Sequence, residues 1–246
     1  FFAMYVSADD MNSTMNIVHT YQAGIGMSDR DYYLKDDARS KELRAKYQKF
    51  VAKMFVLSGY PEKTAKTAAA EIMKIETALA KAQFSRVELR DPYKNYHKMN
   101  VAELQQLVPN FDWKTYLEEL GMPINEINVA QDVFMKEMAN VFEKSSVSAL
   151  KYYLAWNVIS DASSSLSDDF ADLSFEFYGK TLSGRQEQSP RWKRAVSLLD
   201  HTVGQALGIT YVNRYFPAEA KQRMVELVGN LQVSLGERID QLAWMS

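Results

Sequence analysis

The sequence predicts an all-α fold, a single multi-helix domain over residues 1–246 with an irregular N-terminal segment and short extended connections. Three observations favour this class. Apolar residues recur at helical spacing through most of the chain. The 6 prolines and 10 glycines lie mostly between these repeats. No alternating apolar–polar run lasts long enough to predict a sheet, and no Pro/Ser-rich linker divides the chain.

The N-terminal part is expected to be irregular up to about residue 40. Its Gly24-Ile25-Gly26 stretch, followed by Ser28 and Asp29, is typical of turns. Helical spacing of apolar residues begins at Ser40 and stops at Gly59. The first long helix is therefore predicted between these two positions.

The remaining elements are predicted from apolar spacing, caps and breakers. A second long helix follows Pro61, a residue suited to the first turn of a helix. Residues 85–99 lose the helical period and are expected to be extended, because apolar and charged residues alternate there. Asn100 and Asp112 are suited to cap two short helices. Further helices are predicted at about 129–143, 146–162, 168–179, 190–207 and 217–242.

Composition narrows the classes of function. The net charge is −2, so no basic excess indicates a nucleic-acid partner. Cysteine is absent, which excludes disulfides and thiolate metal sites. No apolar run approaches the roughly 18 residues of a membrane span. None of the three histidines, His19, His97 and His201, belongs to a His-Glu-x-x-His motif. No catalytic residue and no metal ligand is therefore assigned to this segment.

The stretch Arg86–Asp91 places four charges within six residues. Arg86 and Arg90 could bind a substrate carboxylate, because guanidinium groups bind carboxylates in a bidentate manner. The alternative is an ion-pair network that ties an extended segment to nearby helices. This structural alternative is the favoured one.

A second basic cluster opens the helix predicted at about 190–207. Arg191, Lys193 and Arg194 lie in its first turn, where the helix dipole disfavours positive charge. The cluster therefore predicts an acidic partner, and an internal salt-bridge layer is the favoured one. The chain supplies the acids Asp168, Asp169, Asp172 and Glu176. The alternatives are contact with another domain or with a peptide carboxylate. The candidate cavity or interface residues are thus Arg86, Arg90, Arg191 and Arg194.

Several stretches carry a resemblance to a known family. In chain order they are Gly24–Leu34, Glu76–Asp91, Phe111–Trp113, Ser189–Arg194, Gly204–Gly208 with Tyr211-Val212, and Leu242–Met245. Taken together, they resemble the neprilysin-like zinc metallopeptidases of peptidase family M13. One departure is Met27-Ser28, where the family usually has Leu-Pro before its Asp-Arg-Asp-Tyr-Tyr string; this is a change within a loop.

The resemblance implies a role for this chain that is separate from catalysis. Family members hydrolyse short peptides with a zinc ion held by His-Glu-x-x-His and a downstream glutamate in their C-terminal part. None of those ligands has a match here. The resemblance therefore implies an N-terminal helical region, inactive alone, that caps the active-site cavity and restricts access to it. Zinc would belong to the parent enzyme, and the partners would be its C-terminal catalytic domain and peptide substrates.

Two other functions remain open. One is a non-catalytic helical module that binds peptides or serves as a scaffold, and the other is a stand-alone hydrolase with an unrecognised site. The apolar residues at both termini lead us to expect a piece of a longer protein. The family that this chain resembles has disulfide-bonded animal members, and the absence of cysteine departs from them. The resemblance therefore implies a bacterial source, with the parent in the cell envelope or secreted and a cytoplasmic location as the alternative.

Overall fold

The computed structural model describes residues 1–244; Met245, the last residue of the family-like stretch Leu242–Met245, lies outside the described residues. Chain contacts define two compact units, Phe1–Glu187 and Gln188–Ser246. The single domain expected over 1–246 stays a prediction.

The first unit begins with a β-hairpin and not with an irregular segment. Strand β1 (Phe2–Asp9) pairs antiparallel with β2 (Asn12–Gln22). Strand β2 pairs parallel with β4 (Glu126–Val129), which pairs antiparallel with β3 (Lys98–Asn100). The strand order is β1-β2-β4-β3. The fold is therefore predominantly α with a small mixed sheet, and the all-α prediction is wrong on this point.

The sheet escaped prediction because its central strand does not alternate. Four consecutive residues of β2, from Ile17 to Thr20, are all buried, since both faces of the strand are covered. Period-2 alternation arises only when one face meets solvent. Most of β1, in contrast, is exposed, so its sequence carries no core signal either.

The helices of the first unit follow the predicted order. Helix α2 is capped by Asp37, whose Oδ1 accepts a hydrogen bond from the Ser40 N–H (2.9 Å). Helix α8 continues into a π-helical segment, Phe175–Leu182. The bounds are α1 Asp31–Leu34, α2 Ala38–Leu57, α3 Glu62–Ala82, α4 Val101–Leu107, α5 Trp113–Glu119, α6 Asp132–Lys144, α7 Val147–Ala162 and α8 Asp168–Ser174.

Two predicted caps are confirmed by hydrogen bonds. Asn100 and Glu103 form a reciprocal capping box at the start of α4. Asp112 Oδ1 accepts from the Thr115 N–H (3.0 Å) at the start of α5. Pro61 lies one position earlier than predicted, as the N-cap of α3.

The prediction that residues 85–99 are extended is wrong for its first half. Glu88–Arg90 form a turn of 3₁₀-helix. Glu88 Oε2 accepts from the Ser85 N–H (2.8 Å), and Asn95 Nδ2 donates to the Glu88 carbonyl (2.9 Å). These side-chain contacts replace the ladder bonds of a strand, which the alternating pattern could not reveal.

The core of the first unit consists of two clusters of buried side chains on either side of α3. One joins α2, α3 and α7 through Tyr47, Phe50 and Trp156. The other packs Val18 and Trp113, among others, between the sheet and the helices α4 to α7. Helix α3 supplies buried residues to both clusters, so it is the centre of the unit.

The second unit is a pair of long helices, α9 (Arg191–Tyr215) and α10 (Ala218–Asp240). Helix α9 extends eight residues beyond the predicted end at 207 and has a kink at Val203, whereas α10 lies within the predicted range 217–242. Neither helix has a buried residue. The predicted apolar stripe of α10 is present, but its members are 48–60% exposed; they are Met224, Leu227, Val228, Leu231 and Leu235.

Candidate functional site

Arg86 lies beside the turn that precedes α1. Its Nε is 2.5 Å from Asp29 Oδ2, although the arginine side chain is 72% exposed. The neighbouring Arg30 donates from its guanidinium to the Gln83 carbonyl at the end of α3. Together these contacts tie the turn to the C-terminal end of α3. The arrangement fits an ion-pair network, and a substrate role for Arg86 stays a proposal.

The other three candidate arginines lie on segments other than that of Arg86, one in the first unit and two in the second. Arg90 is exposed on the 3₁₀ turn of the first unit. Arg191 and Arg194 belong to the first turn of α9, in the second unit. The Nε atom of Arg194 is buried and has no hydrogen-bond partner among the described residues. Within the first unit, the predicted acidic partner Glu176 pairs with Lys180 four residues later.

A buried carboxylate lies at the centre of the first unit, and the sequence-based prediction did not assign it a role. Glu76, on α3, is only 1% exposed. Its Oε2 accepts from the Tyr33 hydroxyl (2.6 Å), and its Oε1 accepts from the Tyr47 hydroxyl (2.9 Å). The Gly26 N–H is a third donor. Trp156 Nε1 donates in turn to the Tyr47 hydroxyl (3.0 Å).

The donor set around Glu76 matches an ionised carboxylate. The Tyr33 hydroxyl accepts from the Met27 N–H (2.8 Å), so its single proton is directed to Glu76. The Tyr47 hydroxyl also directs its single proton to Glu76, because it accepts a hydrogen bond from the Trp156 indole N–H. Burial acts in the opposite direction and raises the pKa of Glu76 to about 7, while these hydrogen bonds oppose that rise.

The Glu76 cluster joins elements that are far apart in sequence. It connects the turn at residues 24–27 and α1 to α2, α3 and α7. Space around Gly26 is so limited that an added Cβ would lie 1.8 Å from the Tyr47 hydroxyl oxygen. The carboxylate is shielded from solvent, so the cluster can orient the Asp29–Asp31 turn but cannot itself contact a substrate. The only available sequence signal was an acidic residue on the apolar face of a helix.

A groove of about 870 Å³ lies between α2, α3 and α8. One face each of α2, α3 and α8 lines it, with Ala69 among its apolar residues. Lys49 and Lys53 of α2 and Asp169 and Asp172 of α8 supply charged edges. The groove was not predicted, because it exists only when three helices distant in sequence pack together.

The histidines have structural contacts. His19 is buried, and its Nδ1 accepts from Asn128 Nδ2 (3.0 Å). His97 Nδ1 donates to the Val129 carbonyl (3.1 Å), and His201 Nδ1 donates to the Ser197 carbonyl (2.7 Å). Among residues 1–244, no group of three or more His, Cys, Asp and Glu side chains is placed to hold a metal ion.

Among the helices within residues 1–244, none is both long and apolar enough to cross a membrane.

The whole chain matches a family of known proteins. The model of the N-terminal region of peptidase family M13 matches residues 1–246. Bovine endothelin-converting enzyme 1 is 31% identical over 251 residues, which cover 100% of this chain and 33% of that protein. The human enzyme is 30% identical, with 32% of its length covered. The chain thus spans about a third of the length of these curated relatives.

Solved structures show the same fold. Zinc metalloprotease Zmp1 of Mycobacterium tuberculosis, in complex with an inhibitor, is 34% identical with a TM-score of 0.87 over 100% of this chain and 37% of its own. PepO from Lactobacillus rhamnosis HN001 is 18% identical with a TM-score of 0.83, over 100% of this chain and 39% of its own. The second likeness concerns the fold alone.

Proposed function

This chain belongs to peptidase family M13, and we propose on that basis that it is the non-catalytic, cavity-capping region of a zinc metallopeptidase. In this role it would limit the size of peptides that reach the active site of the parent enzyme. The observation that carries the proposal is the match of the N-terminal family model to the whole chain.

The zinc ion and the catalytic residues would then lie in a C-terminal catalytic domain of the parent protein. Support comes from the relatives, of which this chain covers about a third. When bound there, zinc would supply an activated water for peptide hydrolysis. The role of this chain's own residues would be to exclude large substrates and bulk water.

The exposed apolar residues of the second unit support a partner of this kind. Monomeric proteins rarely leave large contiguous apolar patches in solvent. Leu198, Leu207, Leu227 and Leu231 are each 44–60% exposed on α9 and α10. The proposed catalytic domain would cover part of this surface. The same proposal assigns contacts with the peptide or with the catalytic domain to the four candidate arginines, Arg86, Arg90, Arg191 and Arg194.

The source gene beyond codon 246 provides the first test. We expect a His-Glu-x-x-His motif followed by a third carboxylate ligand. A stop codon or an unrelated domain would contradict the proposal and favour the alternative of a peptide-binding or scaffold module. Incubation of the 246-residue chain with zinc and short peptides should give no hydrolysis, whereas turnover would indicate a stand-alone hydrolase.

Size selection is tested on the parent enzyme. The same cleavable sequence is presented as a short free peptide and within a surface loop of a folded protein. We expect kcat/KM for the free peptide to exceed that for the folded protein by at least about 100-fold. Equal cleavage of both substrates would contradict the capping role while leaving the family assignment intact.

For the parent enzyme we propose a bacterial source and a location in the cell envelope or outside the cell, with the cytoplasm as the alternative. The bacterial solved structures that share the fold support the source. Fractionation of the source organism, with detection by an antibody against this chain, distinguishes the locations.

A further inference from the structure

We propose that the outer edge of strand β1 binds an extended peptide, which adds to the sheet as a fifth strand. Strand β1 is the outermost strand on its side of the sheet and is eight residues long. Edge strands present unpaired backbone N–H and C=O groups, which can pair with another extended chain. This inference goes beyond size selection and does not depend on it.

The edge of β1 is accessible along most of its length. Five of its residues, namely Ala3 and Tyr5–Ala8, are exposed. Apart from the ladder with β2, no hydrogen bond within residues 1–244 satisfies the backbone groups of residues 3–8. The Phe1 ring anchors the beginning of the strand by stacking on Tyr153 with a centroid separation of 4.5 Å. The edge is thus held in place and available.

The register shows which residues direct their backbone groups outward. The Gln22 N–H donates to Gln131 Oε1 (2.8 Å) and so does not pair with β1. Gln22 lies opposite Phe2, which makes this a non-hydrogen-bonded pair. Such pairs alternate along an antiparallel ladder. The pairs formed by Met4 and Val6 are therefore of the same kind, and both residues direct their N–H and C=O groups outward.

The other side of β2 leads independently to the same register. The Val129 N–H donates to the His97 carbonyl (3.1 Å), so Val129 directs its backbone groups toward β3. By alternation, Asn128 directs its groups toward β2, where it lies opposite His19 and its hydrogen bonds run to the flanking Val18 and Thr20. Because these two residues bond to β4, they do not bond to β1.

Apart from a register irregularity between Ala8 and Asp9, the hairpin lacks the common protections of an exposed edge. Natural edge strands are commonly blocked by lysine, proline or a covering element. Residues 1–29 contain no Lys, Arg or Pro. Tyr5 and Val6 are 47% and 61% exposed on opposite faces of β1, which suits apolar side chains on both faces of an added strand. Asp10, exposed at the end of the hairpin, has no ion-pair partner in the described structure. The occupant that fits is therefore an extended apolar peptide with a basic residue near Asp10.

Amide hydrogen exchange of the 246-residue chain tests this register. In the free protein, the amides of Met4, Val6 and Ala8 should exchange rapidly, whereas those of Tyr5 and Ser7 should be protected by β2. The probe is a fluorescein-labelled decapeptide of alternating Thr and Val with one terminal Lys. Its addition should slow exchange at Met4 and Val6 by at least about tenfold. A matched peptide that is N-methylated at alternate residues should have no such effect.

Variants of neighbouring residues separate edge pairing from general damage. Val6→Pro removes an outward N–H and should weaken binding of the decapeptide, measured by fluorescence anisotropy, by at least about tenfold. Val6→Thr keeps the N–H and should bind within about twofold. Ser7→Pro removes an inward N–H and should lower the melting temperature, which Val6→Pro should leave nearly unchanged. Asp10→Asn should weaken binding by about two- to fivefold and reduce its salt dependence.

Three results would overturn the proposal. The first is that the decapeptide shows no saturable binding at concentrations up to about 1 mM. A Kd above that concentration would mean only very weak association. The second is that the N-methylated peptide binds as tightly as the unmodified decapeptide, or that the Val6→Pro variant binds the decapeptide as tightly as the original chain does. The third is a concentration-dependent dimer that Val6→Pro abolishes, because the edge would then be occupied by a second copy of this chain. None of these results bears on the size-selection assay with the parent enzyme.

Discussion

The two units of this chain differ in how far their apolar helix residues are buried. In the first unit, α3 alone buries nine residues, and aromatic side chains surround a carboxylate at its centre. In the second unit, α9 and α10 span 25 and 23 residues without burying one. Helical spacing of apolar residues predicted both regions equally well. The pattern therefore indicates which face of a helix is apolar but not whether anything covers that face.

The contrast also separates two sources of helix stability. Most helical stability in proteins comes from packing of the apolar face, and isolated helices are marginal in water. Helices α2 and α3 meet that requirement inside the first unit. The second unit has an exposed apolar surface of the kind that a partner covers. This difference supports the proposal that the second unit provides part of the contact with the remainder of the parent enzyme.

The largest expected effect is a difference in amide hydrogen exchange between the two units. Amides in the middle of α3 should exchange at least about 10³-fold more slowly than those in the middle of α10, because only α3 is packed on both sides. Exchange followed by mass spectrometry at constant pH measures this ratio. Similar protection in both helices would show that α9 and α10 form a stable unit without a partner.

A glycine in each unit provides the next comparison. Gly26→Ala should lower the free energy of unfolding by about 3 kcal/mol, because the new methyl group would overlap Tyr47. In α10, Gly229 has no heavy atom within 4 Å of an added Cβ. Gly229→Ala should therefore be neutral or stabilise the helix by up to about 1 kcal/mol. Thermal and urea unfolding of both variants measure the difference, and a mild effect at Gly26 would contradict the described packing.

The pH dependence of the free energy of unfolding should show the titration of the buried Glu76 carboxyl group. Its pKa is raised from 4.5 to about 7 in the folded chain, so the folded state binds its proton more tightly than the unfolded state. The stabilisation is complete below about pH 4.5 and is lost as the pH rises to about 7. The loss should amount to about 3 kcal/mol, because the pKa rises by about 2.5 units at 1.36 kcal/mol per unit.

Glu76→Gln is the matched control for this prediction. Glutamine has nearly the same shape but does not titrate, so the difference in unfolding free energy between the two proteins should change with pH in that window. Urea unfolding at pH 4, 5.5 and 7.5 provides the data. Parallel curves for the two proteins would show that the carboxyl group keeps an ordinary pKa.

The smallest effects are expected at the arginines. Arg86→Ala should change the free energy of unfolding by no more than about 0.5 kcal/mol, because the arginine side chain of its ion pair with Asp29 is 72% exposed. Arg191→Ala extends the test to the basic cluster of the second unit. If its cluster belongs to an internal salt-bridge layer, the melting temperature of the 246-residue chain should fall by about 2–4 °C. If the cluster serves a peptide or the catalytic domain, stability should be unchanged and the loss should occur in kcat/KM of the parent enzyme.

Local signals predicted most helices and their caps. Asn100 and Asp112 cap the helices expected of them, because an N-cap needs only a side chain and the backbone two or three residues later. The candidate arginines were proposed from charge density in the same local way. Arg86 pairs with Asp29, which lies 57 positions earlier in the chain. Charge density alone does not predict which distant residue completes a pair.

The sequence by itself determined the positions of the long helices, the cap residues and the membership of peptidase family M13, because apolar spacing, capping side chains and family-like stretches are all local. Only the tertiary structure decided the sheet, the Glu76 cluster and the free edge of β1. Each depends on segments that are distant in the chain, such as β2 with β4 or Tyr33 with Glu76. The burial of Ile17–Thr20 from both sides and the orientation of backbone groups along β1 follow from those pairings, and no local pattern encodes them.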